Sequence, residues 1–351
     1  MYKTLICLLL FSLLTTVIEA QINVGSIRQT RMKAGDFEPE DLDALREAET
    51  LFIMRPGDES EIEEWQAMLD EVWTVNKVTA ITRGELPDYV EDSGRDTYAF
   101  LGLEGHATTV QMKTTSYVVS HYYLHLSMPG DEIPYSDKEL KRFERRGETP
   151  EPKFEIRSFA RIAVYPDGEL MVLADQFRHS FSLTDGQKND HMEFVYNEAN
   201  FYNWEPGFLK NALQEVNRVL SKGETRWIFG ETLDEAQLSA LRRKTLYVPD
   251  YLLIKYNKFN GNESKRHEVD DLFGDYEYRY ALIDASELST KILAAEEPFY
   301  YFNYVRSSTD AFYTITNALT GEIVYGVYDP VTYNIKSKNI KEMNRAIEKA
   351  D

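Results

Sequence analysis

An internal repeat is the feature that most constrains the fold of this chain. The segment "LDALREAETLFIM" (42–54) resembles "LSALRRKTLYVP" (238–249), with one residue deleted. Three further pairs match in the same order along the chain: 68–86 with 268–288, 97–103 with 299–305, and 214–222 with 341–349. Because the order is kept, we interpret the chain as two copies of one structural unit.

Each copy shows the same succession of predicted elements. A short helix leads into a strand, a helix and a second strand follow, and antiparallel strands and an amphipathic helix come after them. A strand–helix–strand unit places its two strands parallel with a right-handed crossover. The predicted fold class is therefore α/β with α+β elements: two tandem copies of a βαβ-led mixed sheet with helices packed on it.

The predicted division of the chain follows from this repeat. It comprises a signal peptide (1–20), a polar leader (21–39), a first α/β unit (40–222), a linker (223–234) and a second α/β unit (235–351). The first unit carries two insertions, at 129–155 and 167–206, and there the two copies differ. We expect any function that belongs to one unit alone to lie in such segments, because loops carry binding residues on a fixed scaffold.

The amino terminus is typical of an exported protein. A short basic start precedes an apolar run, and Ala20 offers a small residue at the cleavage site. The one cysteine, Cys7, lies inside this segment, so cleavage removes disulfides and thiolate chemistry from the mature chain. No second long apolar run follows, which predicts a mature chain without a transmembrane segment. We expect a location in the periplasm or at the surface of a Gram-negative bacterium.

The charge of the chain excludes one class of partner. The formal net charge is −20 at pH 7. Nucleic acid binding normally requires clustered Lys and Arg that neutralise phosphates, so we expect no nucleic acid partner.

Motifs for chemistry are missing from the sequence. The turns after the first strand of each unit, "RPGDES" (55–60) and "PDYLLI" (249–254), lack a glycine-rich phosphate loop. His121 and His125 share a strand face but lie about 13 Å apart, too far for one ion. The segment "HEVDD" (267–271) is not a helical zinc motif. We therefore predict no catalytic, cofactor-binding or metal-binding residues.

One aromatic cluster is a candidate contact surface. Phe201, Tyr202 and Trp204 lie in "NFYNWEPGF" (200–208), within the second insertion. Exposed aromatic rings there would stack on a sugar or anchor a protein partner. The alternative is hydrophobic packing just before a helix that begins near Pro206.

The first unit also resembles known proteins in pattern. "TLFIM", "EVWTVNKVTAITRGEL" and "DTYAFL" together are similar to a group of uncharacterised exported proteins of Gram-negative bacteria. Their arrangement resembles the small α/β domain at the amino terminus of TolB. The resemblance implies a fold and brings no functional residues with it.

The predicted function is that of a non-enzymatic envelope protein that binds a protein partner or a glycan. One alternative is a carboxylate-dependent hydrolase with a cleft between the two units. Another is a structural subunit of an envelope complex. A packed interface between the units favours binding, whereas a cleft lined by acidic and aromatic side chains favours the enzyme.

Overall fold

The structure is a computed structural model. It describes the following residues: 21–27, 34–91, 96–111, 116–147, 149–150, 152–171, 185–229, 232–257, 260–307, 310–330 and 332–350. The predicted signal peptide lies outside them, as do parts of the predicted leader and of the second insertion.

The first unit is built around one six-stranded sheet. Its strands are β1 (Ile22–Val24), β2 (Glu49–Ile53), β3 (Lys77–Ile81), β4 (Tyr98–Gln111), β5 (Ser116–Glu132) and β6 (Phe154–Ala163). Its helices with defined bounds are α1 (Pro39–Glu47), α2 (Ile62–Val72), α3 (Leu86–Glu91), α4 (Asp137–Arg146), α5 (Asp185–Asn197) and α6 (Pro206–Lys222). A 3₁₀ turn at Glu59–Glu61 precedes α2.

The second unit is built around another six-stranded sheet and a two-stranded ribbon. The strands are β7 (Thr232–Leu233), β8 (Leu246–Pro249), β9 (Ile254–Lys255), β10 (Lys265–Arg266), β11 (Tyr280–Ile283), β12 (Tyr300–Ser307), β13 (Asp310–Asn317) and β14 (Ile323–Pro330). The helices are α7 (Glu235–Leu238), α8 (Val269–Phe273), α9 (Ala285–Leu293) and α10 (Ser337–Lys349), with 3₁₀ turns at Ser239–Arg242 and Asp250–Leu253.

The two large sheets have the same strand order. The first reads β1-β6-β5-β4-β2-β3, and the second reads β7-β14-β13-β12-β8-β11. In both, one strand (β2 or β8) lies between two parallel neighbours, and the remaining strands pair antiparallel. The predicted fold class of two tandem α/β units is thereby confirmed.

The leading helices show why the repeat is visible in the sequence. Leu42 and Leu45 of α1 are buried, and Leu238 and Leu241 are buried at the matching place before β8. Burying a leucine side chain stabilises the fold by about 1.5–3 kcal/mol. Both copies therefore keep this pair of core anchors.

Two segments outside the predicted units are part of the sheets. Ile22 and Val24, in the predicted polar leader, form the buried edge strand β1 beside β6. Residues 232–233, in the predicted linker, form β7 beside β14. The alternation of apolar residues around Asn23 suits a strand, and the polar residues that follow it obscure this pattern in the sequence.

The interface between the units is packed. The long helix α6 lies between them, and Phe208 packs on Tyr301 with ring centroids 5.7 Å apart. A Cβ atom on Gly207 would lie 2.3 Å from the Ser289 backbone oxygen, so this close approach requires glycine. Tyr165 of the first unit belongs to the buried core of the second. Among the described residues these contacts leave the units tightly joined, which favours the binding interpretation over the cleft enzyme.

Candidate functional site: a cationic cavity in the second unit

A cavity of about 770 Å³ lies at one edge of the second sheet. One wall comes from the connection after β8, which forms the ribbon β9–β10, and the other from residues 333–336, which follow β14. β8 and β12 are parallel, and β14 runs the same way because β13 is antiparallel to both of its neighbours. The cavity therefore lies beyond the carboxyl ends of these strands, the usual place for ligands in α/β sheets.

The charge of the cavity is opposite to that of the chain. Lys255, Lys265, Lys336 and His267 line it, and no aspartate or glutamate is among the lining residues that the structure describes. The whole chain has 59 acidic and 39 basic residues. Within the described part of the chain, none of the three lysines has a salt bridge. The cavity is thus a local positive site on an acidic protein.

Two of these lysines repel each other by their position. Lys255 and Lys265 are direct cross-strand partners in the β9–β10 ribbon. Like charges directly opposite one another destabilise a strand pair. An anion placed between the two ammonium groups would offset this repulsion.

The loop between β9 and β10 supplies amide side chains. Asn257, Asn260 and Asn262 line the cavity. The Asn257 N–H donates to the Asn262 carbonyl at 2.9 Å, and the Gly261 N–H donates to the Asn257 carbonyl at 2.8 Å. Gly261 has φ +68°, a conformation that glycine adopts without strain. Backbone hydrogen bonds thus join Asn257 to Gly261 and to Asn262 across the loop.

The opposite wall is joined to the ribbon by an asparagine. The Asn334 side chain accepts a hydrogen bond from the Tyr256 N–H at 2.7 Å and donates to the Tyr256 carbonyl at 3.0 Å. The rings of Tyr256 and Tyr333 are stacked, with centroids 6.2 Å apart and planes at 23°. Both tyrosines line the cavity, so it combines aromatic surface with cations and amides.

His267 is the group of the cavity that titrates near neutral pH. Burial lowers its pKa, and the nearby positive charge of Lys255 lowers it further, while Asp271 opposes the shift. Its Nε2 has no hydrogen-bond partner among the described residues. The imidazole is therefore neutral at pH 7, and protonation would add one more positive charge to the cavity.

The aromatic cluster predicted from the sequence is mostly buried. Phe201 is 8% exposed and Trp204 is 5% exposed. The Arg55 guanidinium lies 5.3 Å from the Phe201 ring and 5.5 Å from the Trp204 ring. These two rings pack in the core and are not open to a sugar or a partner. Tyr202 is half-buried, and its hydroxyl donates to Glu263 at 2.7 Å.

A second, smaller cavity lies at the equivalent place in the first unit. It has a volume of about 320 Å³ and is lined by Asp58, Glu61 and Glu205 together with Arg55 and Trp204. Burial raises the pKa of Glu205, and the charges of Asp58 and Glu61 raise it further. The Trp204 indole N–H donates to Asp58 at 2.8 Å, and Arg55 donates to the backbone carbonyls of residues 196 and 199. These groups largely satisfy one another, so we interpret them as a packing network.

A serine, a histidine and a glutamate also form a line on the first sheet. His125 Nδ1 is hydrogen-bonded to Glu104, and its Nε2 is hydrogen-bonded to Ser158. This order of groups is the one used in nucleophilic catalysis. Ser158 is only 5% exposed and His125 only 4%, and neither lines the two cavities described above. The cluster is a polar network across β4, β5 and β6 in which the serine and the histidine are buried and Glu104 is partly exposed.

In the part of the chain that the structure describes, no three His, Cys, Asp or Glu side chains are grouped to hold a metal ion. No helix there has the length and apolar character needed to cross a bilayer.

Comparison with known proteins gives no match. No protein-family model matches the sequence, and no curated protein and no solved structure is significantly similar to it. The cavity and its side chains are therefore the basis for a functional proposal.

Sequence reasoning did not find the cationic cavity. A signal was present in "KYNKFNGNESKRH" (255–267), where basic and amide residues dominate in an otherwise acidic chain. The second wall comes from residues 333–336, and their proximity depends on the tertiary fold.

Proposed function

We propose that this protein is a non-enzymatic binding protein for an acidic glycan, which it holds in the cationic cavity of the second unit. The observation that carries the proposal is the lysine-lined wall without any carboxylate, in a chain of net charge −20. A carboxylate or sulfate on the ligand would lie between Lys255 and Lys265, where it offsets their mutual repulsion.

The other side chains favour a saccharide over an acidic peptide. The side-chain oxygens of Asn260 and Asn262 accept hydrogen bonds within the loop, and their amide N–H groups are donors suited to sugar hydroxyls. The half-buried Tyr333 ring, stacked on the buried Tyr256 ring, supplies a rigid aromatic surface beside them. The lysines are point charges, which bind an anion without the planar fork that arginine would provide.

We further propose that the protein acts at the cell envelope of a Gram-negative bacterium after residues 1–20 are removed. The basic start, the apolar run and Ala20 support this location. Amino-terminal sequencing of the protein purified from its native host tests it. The expected first residue is Gln21, and a mature chain that retains the apolar segment would contradict export by cleavage.

The binding proposal is tested by calorimetric titration with three probes. These are an oligosaccharide of galacturonic acid, a neutral oligosaccharide of the same length, and poly-glutamate. We expect the acidic oligosaccharide to bind more tightly than both of the others, and to weaken as salt is raised because salt screens exposed charges. Equal binding of poly-glutamate would favour an acidic protein partner and overturn the glycan. Absence of binding by the acidic oligosaccharide would overturn the proposal altogether.

A charge-matched pair of variants localises the binding. Lys255→Gln with Lys265→Gln removes two positive charges from the cavity, and the affinity for the acidic oligosaccharide should fall at least about tenfold. The control removes two lysines from α4 in the first unit, Lys138→Gln with Lys141→Gln, both exposed and neither in the cavity lining. The two proteins have equal net charge. A similar loss of affinity in both would show that binding is non-specific attraction.

A further inference from the structure

We propose that Tyr202 of the first unit is a positioning residue for the cationic cavity, acting through Glu263 and Arg306 of the second unit. This inference rests on the binding function proposed above. Tyr202 lies in the second insertion of the first unit. This insertion would therefore contribute to a binding site in the second unit.

Glu263 lies in the loop between β9 and β10, here called the cavity loop, and it contacts the first unit. It lies in the chain between Asn262 and Ser264, whose side chains line the cavity. Its Oε2 accepts hydrogen bonds from the Tyr202 hydroxyl at 2.7 Å and from the Gly168 N–H at 2.8 Å. Two groups of the first unit thus fix a carboxylate whose chain neighbours form the cavity wall.

The other oxygen of Glu263 fixes a buried cation. Oε1 accepts from Arg306 at 3.1 Å, and Arg306 is 0% exposed. The Arg306 guanidinium lies 3.9 Å from the Tyr256 ring centroid, and it donates to the Tyr333 carbonyl at 3.3 Å. Tyr256 and Tyr333 are the two tyrosines of the cavity, so one guanidinium contacts both walls.

Gly168 of the first unit packs closely against the backbone of the loop between β9 and β10. A Cβ atom on Gly168 would lie 2.3 Å from the Gly261 backbone oxygen. The first unit therefore touches the backbone of the cavity loop, and movement between the units would displace the loop with it.

The hydroxyl of Tyr202 has one chemical role in this arrangement. Burial raises its pKa, and the hydrogen bond to Glu263 raises it further, so the phenol stays protonated and donates. Without this donor, Glu263 loses one of three partners and is less firmly placed against Arg306. We expect Asn262 and Ser264 to shift with it, away from the positions that bind the ligand.

The test is a double-mutant cycle of Tyr202→Phe and Glu263→Gln. Binding of the galacturonic acid oligosaccharide is measured by calorimetry, and hydrogen exchange of residues 255–267 is measured without ligand. Tyr202→Phe should weaken binding about fivefold and speed exchange in this segment, with the thermal midpoint of the protein nearly unchanged. Both substitutions disrupt the same hydrogen bond between Tyr202 and Glu263. The double variant should therefore have about the same affinity as the single variant with the lower affinity.

A matched tyrosine outside the network serves as control. Tyr247 is likewise half-buried, packs on Phe299 and does not line the cavity, so Tyr247→Phe should change neither binding nor exchange of the loop. If wild type binds while Tyr202→Phe binds equally well, or if the two effects multiply, the positioning role is wrong and the binding function stands. If wild type does not bind, the binding function fails, and the exchange measurement then decides alone whether Tyr202 holds the loop.

Discussion

At the scale of single residues, His267 sets how the cavity responds to pH. Its pKa is lowered from 6.5, chiefly by burial, with Lys255 acting in the same direction and Asp271 against it. In the folded, ligand-free protein the ring therefore takes up a proton only below pH 6.5. A bound anion favours the protonated ring, so binding and protonation support each other.

The affinity for the acidic oligosaccharide should thus rise as pH falls below 6.5 and through the lowered pKa of His267. Galacturonate remains ionised over this range, so the protein is the titrating partner. Calorimetric titrations across the range, on wild type and on His267→Gln, measure the effect. The variant should lose most of the pH dependence, and an equally steep profile in the variant would assign the titration to another group.

The same residue has the opposite effect on the stability of the free protein. Because the pKa is lower in the folded than in the unfolded state, the unfolded chain binds the proton first. This contribution to stability is present above about pH 6.5 and is lost as pH falls through the lowered value. Acid therefore strengthens ligand binding while it weakens the free fold.

At the scale of elements, the cavity arises in the connection that follows β8, which is longer than the matching connection after β2. In the first unit, β2 is joined to α2 by a short connection with one 3₁₀ turn. In the second unit, the connection from β8 to α8 contains a 3₁₀ turn and the ribbon β9–β10. Both connections leave the carboxyl end of a strand that lies between two parallel neighbours, where α/β sheets form crevices. The equivalent crevices carry opposite charge.

The order of helices and strands could be predicted from the sequence, but the cationic cavity could not. Helical and strand periodicity, read twice along the chain, predicted β2 and β8 in matching places, because each copy must bury the same apolar face. The cavity needs residues 255–267 and 333–336 side by side, and no local pattern encodes that contact. Phe201 and Trp204 were predicted as a candidate contact surface, yet their rings are buried. Composition alone does not distinguish an exposed aromatic cluster from a buried one.

At the scale of the whole molecule, the two units form one packed structure with an uneven charge distribution. Gln21 and Tyr165 of the first unit are buried against the second, where the Gln21 side chain accepts a hydrogen bond from Asn303 at 3.0 Å. The first unit thereby supports the cavity of the second, while the acidic surface elsewhere keeps non-specific anions away. This contrast in charge is the basis on which we propose selectivity for an acidic ligand at the cationic cavity.

The central claim is that an acidic saccharide binds between Lys255 and Lys265. A crystal structure of the wild-type protein grown with the galacturonic acid oligosaccharide tests it most directly. We expect a sugar carboxylate within about 4 Å of both ammonium groups, with the sugar ring against Tyr333. Sugar density elsewhere on the protein, with the cationic cavity left empty, would contradict it.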